Sequence, residues 1–379
     1  MVTMPHTEVR VDTAYRSAIK LVALLACAVL LGGIAGCSAG SQTTAQAESP
    51  SSTVRANPEI VLMTHDSFAV SDDVLSEFTA HTGYTVRILR AGDAGSMLNQ
   101  AILAKDNPLA DVLYGVDNTF LTRALDAGIF DAYESPALSV VPAELQLDPT
   151  RRATPIDYGD VCINYDKEAF PGTPAPPASL RDLTKAEYRN MLVVQDPATS
   201  SPGLAFLLAT IAEFGESGPY TWKDFWRDLQ ANGVRVVSGW EEAYYSSFSG
   251  GAGEGDRPLV VSYASSPPVE VVFADTDLLE APTAAMSAGA FRQVEFAGVL
   301  AGAKNPAGAR SLIDFMLSRP FQEDMPLQMF VFPANSEAQL PDVFTTNAPV
   351  PAQTSTMDPA AIGKDRERWI EEWSALGIG

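Results

Sequence analysis

The sequence predicts an α/β protein built from two lobes, and three observations carry that prediction. At 379 residues, 46% of them hydrophobic, the chain is long enough for two packed domains rather than one. Short apolar runs of strand length alternate with helical patterns, as in a parallel sheet covered on both faces. The alternation then starts again after about residue 160, which gives a second α/β half. Open sheets of this kind place ligands at the carboxyl ends of their strands.

Glu59 to Thr64 is an apolar run that suits a buried strand. Ser71-Asp72-Asp73 opens a helical pattern carrying Val74, Leu75 and Phe78, and Gly83 closes it. Thr85 to Leu89 is a second strand, Met97 to Lys105 a helix, Asp111 to Val116 a third strand, and Phe120 to Asp126 a helix ended by Gly128. The second half holds strands at Cys162 to Tyr165, Leu192 to Val194, Val234 to Val237 and Leu259 to Tyr263. Its helices span Gly203 to Phe214 and Trp222 to Leu229. A long extended stretch from Phe291 to Leu300 leads to a helix at Ala307 to Leu317, and Trp369, Ile370 and Trp373 of the last helix read as packing residues. No internal repeat stands out.

Residues 1–36 read as an export signal: Arg10, Arg16 and Lys20 precede the apolar run Leu21 to Gly36, which is short of the ~20 residues a spanning helix needs. Ile34-Ala35-Gly36-Cys37 resembles the bacterial lipoprotein box, which implies that Cys37 carries lipid and becomes the first mature residue. Residues 37–57 are rich in Ser, Thr, Ala and Gln and read as a flexible tether, so the folded region begins near Pro58. Of the three cysteines, Cys27 leaves with the signal, and Cys162 sits in an apolar stretch as a buried core residue. They offer no disulfide framework and no zinc spacing.

Asp and Glu total 47 against 25 Lys and Arg, a net charge of −22. Such a surface repels phosphate backbones, which argues against nucleic acid as a partner, and it attracts cations. Enzymatic signatures are missing: the sequence has no G-x-S-x-G elbow, P-loop, H-E-x-x-H or C-x-x-C. Glu241-Glu242 reads as a solvated helix face, since adjacent acids diverge on a helix. Nothing asks for a metal or cofactor.

Binding features are better represented. Ser201 as N-cap with Pro202 after it would leave free amides before the helix from Leu204, and Gly92-Asp93-Ala94-Gly95-Ser96 does the same before Met97. Each is either an ordinary cap or half of a small phosphate or hydroxyl site. Trp240 and Tyr244 follow one strand, Tyr263 ends another, and Tyr158 stands beside Asp157 where the chain crosses between lobes. Aromatic faces near a carboxylate suit a flat cation, at roughly 0.5–2 kcal/mol per good contact, although each ring alone also reads as core.

Several segments in order resemble the thiamine-binding proteins of ABC importers: Thr64-His65-Asp66-Ser67-Phe68-Ala69, Ala110 to Asn118 (ADVLYGVDN), Asp157-Tyr158-Gly159, and Gln195 to Leu204 (QDPATSSPGL). Gly239-Trp240-Glu241-Glu242-Ala243-Tyr244 and Ser262-Tyr263-Ala264-Ser265-Ser266-Pro267 continue the likeness, which spans about Pro58 to Trp373. The resemblance implies a two-lobed periplasmic-binding-protein fold of type II, with lobe 1 at 58–155 plus 290–379, lobe 2 at 156–289, and ligand in the cleft between them. It implies a lipid-anchored, extracytoplasmic protein that binds thiamine or its phosphates and passes them to a permease driven by an ATPase. Asp66, Trp240, Tyr263 and Asp157-Tyr158 would line the vitamin's rings, and Ser96, Ser200 and Ser201 would hold its hydroxyethyl or phosphate end. His65, Asp117, Tyr244 and Phe330 complete the implied ligand set.

This chain departs from the family at His65, commonly Tyr, and at Phe330, often Trp, and Ser249 to Pro258 reads as a longer Gly-rich surface loop. Two alternatives stay open. Tyr244-Tyr245 with His65 superficially offers a ferric-ion site, although adjacent tyrosines diverge on a helix. A thiamine-cleaving enzyme would need Cys162 as its nucleophile.

Overall fold

The computed structural model describes residues 58–274, 278–348, 351 and 354–378. The expected signal, the lipidation site Cys37 and the tether lie outside the described residues.

The chain opens with β1 (Glu59–Thr64), α1 (Asp72–Thr82), β2 (Thr85–Arg90), α2 (Ala94–Leu103), β3 (Val112–Asp117) and α3 (Leu121–Ala127). Helix α1 starts where the Ser71 side chain accepts the Val74 amide and stops at Gly83, whose left-handed φ of 71° lets its N–H return to the Thr79 carbonyl. β4 (Thr154–Asp166) follows, then β5 (Leu192–Gln195), α4 (Ser201–Phe214), α5 (Trp222–Ala231), β6 (Arg235–Val237), a π-helical turn at Glu242–Ser247, β7 (Leu259–Tyr263) and α6 (Pro267–Val272). The chain finishes with β8 (Thr283–Ala285), β9 (Ala290–Val299), α7 (Pro306–Met316), α8 (Arg319–Gln328), β10 (Phe332–Pro333), α9 (Asp342–Asn347), β11 (Thr354–Ser355) and α10 (Pro359–Ser374).

Among the described residues the strands form one sheet with the order β2-β1-β3-β9-β4-β7-β5-β6. Its two wings, β2-β1-β3 and β7-β5-β6, are parallel as the alternation predicts. The centre is different. β9 runs antiparallel to both β3 and β4, and β4 runs antiparallel to β7, so the sheet is mixed rather than parallel throughout. The reason is that β4 and β9 are single long strands passing from one wing to the other. Thr154–Asp166 therefore extends well beyond the predicted Cys162 to Tyr165, and the expected lobe boundary at residue 155 falls inside it. Pro155 disguised the strand; it sits at a register shift between Pro155 and Asp157, where a missing amide is tolerated.

Two helix starts also differ. Asp93, not a residue next to Met97, caps α2, accepting the Ala94 amide at 2.7 Å. Ser200 stands at the N-cap of α4, so Ser201 and Pro202 lie in the first turn, where amides need no intrahelical partner. Helix α8 has no counterpart in the sequence reading because Pro320 and Pro326 interrupt its pattern. The C-terminal helix packs as predicted: Trp369, Ile370 and Trp373 are buried, and Trp373 meets Trp226 edge-on at 5.6 Å.

Candidate ligand-binding site

The register of the central strands creates an unusual row. Asp117 of β3 is the direct partner of Glu295 on β9, and Glu295 is the direct partner of Asp157 on β4. All three carboxylates are buried, at 0%, 6% and 1% exposure. Like charges directly opposite on neighbouring strands are destabilising, so a row of three demands a compensating group. Tyr114 supplies part of it, with its hydroxyl 2.5 Å from Asp157 Oδ2 and 3.0 Å from Glu295 Oε2. Burial, then the neighbouring Glu295, raises Asp157 well above the usual carboxylate range. Burial pushes Asp117 up to about 7, although Thr119 donates to its Oδ1 through both amide and hydroxyl.

His65 lies above this row, its Nε2 3.7 Å from Glu295 Oε2 and its ring 5.7 Å from that of Tyr114. Burial disfavours its charged form, but Glu295, with Asp93 and Asp66, outweighs burial and raises its pKa. The ring has room because Gly115 follows Tyr114 with φ of 104°; a Cβ there would run into His65. Tyr263 leans over Gly159 in the same way, 2.9 Å from where a Cβ would stand. Its hydroxyl donates to Gln293 Oε1 at 3.2 Å, and Gln293 Nε2 donates to Glu295 Oε1 at 3.2 Å. A polar chain thus runs from Tyr263 through Gln293 and Glu295 to Tyr114 and Asp157.

The loops before α2 and α4 face each other. The Gly95 amide donates to the Thr199 carbonyl at 3.0 Å, and the Trp240 amide donates to Asp93 Oδ2 at 3.0 Å. Burial raises Asp93 as it raises Asp117, and the nearby hydroxyls of Ser200 and Ser201 oppose that rise only in part; neither buried hydroxyl has a partner at hydrogen-bonding geometry. Asp117 Oδ2 and His65 Nε2 also lack one. Buried polar atoms left unpaired around one spot mark a place where a polar ligand fits.

The structure therefore gathers His65, Asp117, Asp157, Ser200, Ser201, Trp240 and Tyr263 around one region. Asp66 stands at its exposed rim, accepting the Gly92 amide at 3.0 Å, and Ser96 lies half-buried in the first turn of α2. Three residues are placed differently. Tyr158 follows Asp157 on a strand and so points to the opposite face, where its ring stacks on Phe332 at 5.4 Å under the Arg292 guanidinium. Tyr244 is fully buried, stacked beneath Trp240 at 4.9 Å with its hydroxyl donating to Glu270, so it supports Trp240 from below. Phe330 stacks on Phe344 at 6.3 Å in a separate apolar cluster.

Sequence reasoning missed Glu295 and Gln293, and it met Tyr114 and Asp93 only as members of a family segment and a capping loop, without a role of their own. One signal was available: Gln293 and Glu295 alternate on one face of the largely apolar run FRQVEFAGVL, where a buried acid needs a reason. The two alternatives find little here. The Tyr244 hydroxyl is committed to Glu270 and its ring stands 81° from that of Tyr245, so the pair does not converge. Among the described residues no group of His, Cys, Asp and Glu is placed to hold a metal. Cys162 is buried against Ala264 and Ala290, as its apolar neighbours predicted, and burial raises its thiol well above the usual range, which makes it a poor nucleophile.

A sheet of two parallel wings joined by long antiparallel strands, with a polar site between them, defines a two-lobed solute-binding protein. The family model for bacterial extracellular solute-binding proteins matches residues 107–355, more than half of the chain, and the chain belongs to that family. Within it the chain groups with the thiamine-binding periplasmic proteins: it is 32% identical to the one from Escherichia coli (strain K12) over 84% of this chain and 94% of that protein. The solved structure of a periplasmic thiamin binding protein matches with a TM-score of 0.73 at 29% identity, covering 85% of this chain and 97% of that one. The iron-bound HitA from Pseudomonas aeruginosa, at 20% identity and a TM-score of 0.66, shares the fold alone.

Proposed function

We propose that this chain is the extracytoplasmic receptor of an ABC importer, capturing thiamine and releasing it unaltered to a membrane permease driven by an ATPase. The observation that carries this reading is the convergence of a buried acidic row with the partly buried rings of Tyr263 and Trp240. Thiamine is flat, aromatic and permanently positive, so it offers stacking faces to the rings and charge to Asp117, Glu295 and Asp157. Asp66 and His65 flank that end. Its hydroxyethyl group, or a phosphate on it, would meet the unpaired hydroxyls of Ser200 and Ser201 and the start of α4, with Ser96 nearby. Tyr244 supports Trp240 from a second layer, and Tyr158 and Phe330 stand apart from the ligand.

The closing lobes would be 58–155 with 290–379, and 156–289, hinged on β4 and β9. Acylation of Cys37 would hold the protein at the membrane, with residues 37–57 as its leash. Titrating the full chain in detergent micelles with thiamine, its monophosphate and its diphosphate tests the reading through Trp fluorescence. Sub-micromolar binding of thiamine is expected, about −8 kcal/mol or better. Trp240→Ala should weaken it by about ten-fold or more, the scale of a lost ring contact. Equal affinity in the variant rejects the site, and no binding of any of the three rejects the function.

A further inference from the structure

The acidic row contains its own evidence of a proton. A phenol carries one hydrogen, yet the Tyr114 hydroxyl stands within hydrogen-bonding distance of both Asp157 Oδ2 and Glu295 Oε2. Tyr114 can donate to only one of them, so the other contact is a hydrogen bond only when that carboxyl is the donor. The strand register independently sets Glu295 directly against Asp157 on one side and Asp117 on the other, with little access to water. Two such carboxyls cannot both ionise without a cation beside them.

The groups facing the row are few. His65 approaches from the end of β1, Tyr114 and Asp117 belong to β3, and Tyr263 and Gln293 come from β7 and β9. Asp93 and Asp66 act on His65 from the loop side. Of the arginines, Arg292 is turned to the other face of β9 and engaged by Asp160, while Arg366 of α10, buried over the Phe120 ring at 4.4 Å and paired with Glu367, acts on the Asp117 end of the row alone. Ser201, buried and unpaired, points the same need for a ligand at Asp117.

We infer that the Asp117–Glu295–Asp157 row, bridged by Tyr114, is the specificity determinant for a permanently cationic ligand, and that it surrenders a proton to solvent when that cation enters. This rests on the proposed function and says how that site discriminates. A positive ring beside the row adds counter-charge beyond what His65 and Arg366 bring to three carboxyls, so the shared proton is no longer needed. An equally flat but neutral ligand supplies none and leaves the proton in place. Charge, rather than shape alone, is what the row reads.

Calorimetric titration of the full chain with thiamine at pH 7, in phosphate and in Tris, measures the proton through the buffer dependence of the binding enthalpy. Release on the order of one proton per thiamine is expected. Thiochrome, a neutral fused-ring oxidation product of thiamine, should bind at least about ten-fold more weakly and release none. Glu295→Gln should cut the proton release to less than half and shrink the thiamine-to-thiochrome ratio to a few-fold; Asp157→Asn should do the same and serves if the first variant does not fold. A purely structural row would weaken both ligands alike and leave the proton count unchanged, which overturns the inference. Thiamine binding by the unaltered chain without proton exchange overturns it too, while leaving the proposed function standing. Failure to bind thiamine removes the proposed function and this inference with it.

Discussion

Two buried acids on β4, three residues apart, receive opposite treatment from the same neighbouring strand. Asp160 faces its register partner Arg292 on β9, which grips it with two hydrogen bonds of 2.6 and 3.1 Å. Asp157 faces its register partner Glu295, another acid. Because side chains alternate along a strand, the two pairs lie on opposite faces of the sheet: one completed by arginine, the other left acidic. The chain had the means to neutralise a carboxylate at this level of the sheet and used it on one side only. A charge that is structurally closed belongs to the fold; a charge that is left open belongs to a ligand.

The largest effect should come from breaking the closed pair. Arg292→Leu leaves Asp160 at 0% exposure without its partner, which should cost about 3–5 kcal/mol and appear as a lowered urea midpoint. Glu295→Gln should do the reverse in the ligand-free protein at pH 8, raising the midpoint by removing the repulsion that an ionised Asp117 meets across the strands. If both substitutions destabilise equally, the two faces are not different in kind.

The second test is pH. Asp117 titrates at about 7 in the folded protein, chiefly through burial, against 3.8 as its ordinary value. Between those values the folded chain binds more protons than the unfolded one. Stability without ligand should therefore fall as pH rises through that window, by up to about 4 kcal/mol, and level off above it. Thermal melts at pH 5.5 and 8 would read this directly, and Asp117→Asn should flatten the slope. Saturating thiamine should stabilise the protein more at pH 8, where Asp117 is ionised. A flat profile in the unaltered chain would mean that the row is compensated by groups already present.

The open face was the harder one to read from sequence. The strand runs of both wings, the Ser71 cap, the Gly83 stop and the aromatic packing of Trp373 were legible because each depends on neighbours within a few residues. Asp117, Asp157, Tyr263 and Trp240 were legible as family positions and as acids and rings at strand ends. The row itself was not, since it exists only through the register of three strands whose residues are far apart in sequence, and periodicity carries no register. Tyr158 shows the converse error. Reading Asp157-Tyr158 as one unit overlooked that neighbours on a strand face opposite ways, and the extended character of Thr154–Asp166 was hidden by Pro155.

The smallest effect sharpens the comparison most. Tyr114→Phe removes one hydroxyl and no volume from the core, and should cost about 1–2 kcal/mol in the ligand-free protein as its hydrogen bonds are lost. Its consequence for the open face is more specific than that number. Without the phenol, Asp157 and Glu295 must share a proton directly or separate, so the stability of the variant should depend more steeply on pH than that of the parent. On the closed face nothing should change: a double substitution with Arg292→Leu should add to within about 0.5 kcal/mol, as expected for residues with no shared partner. A strong coupling between the two would show that the sheet transmits charge from one face to the other, and that neither face can be assigned a purpose of its own.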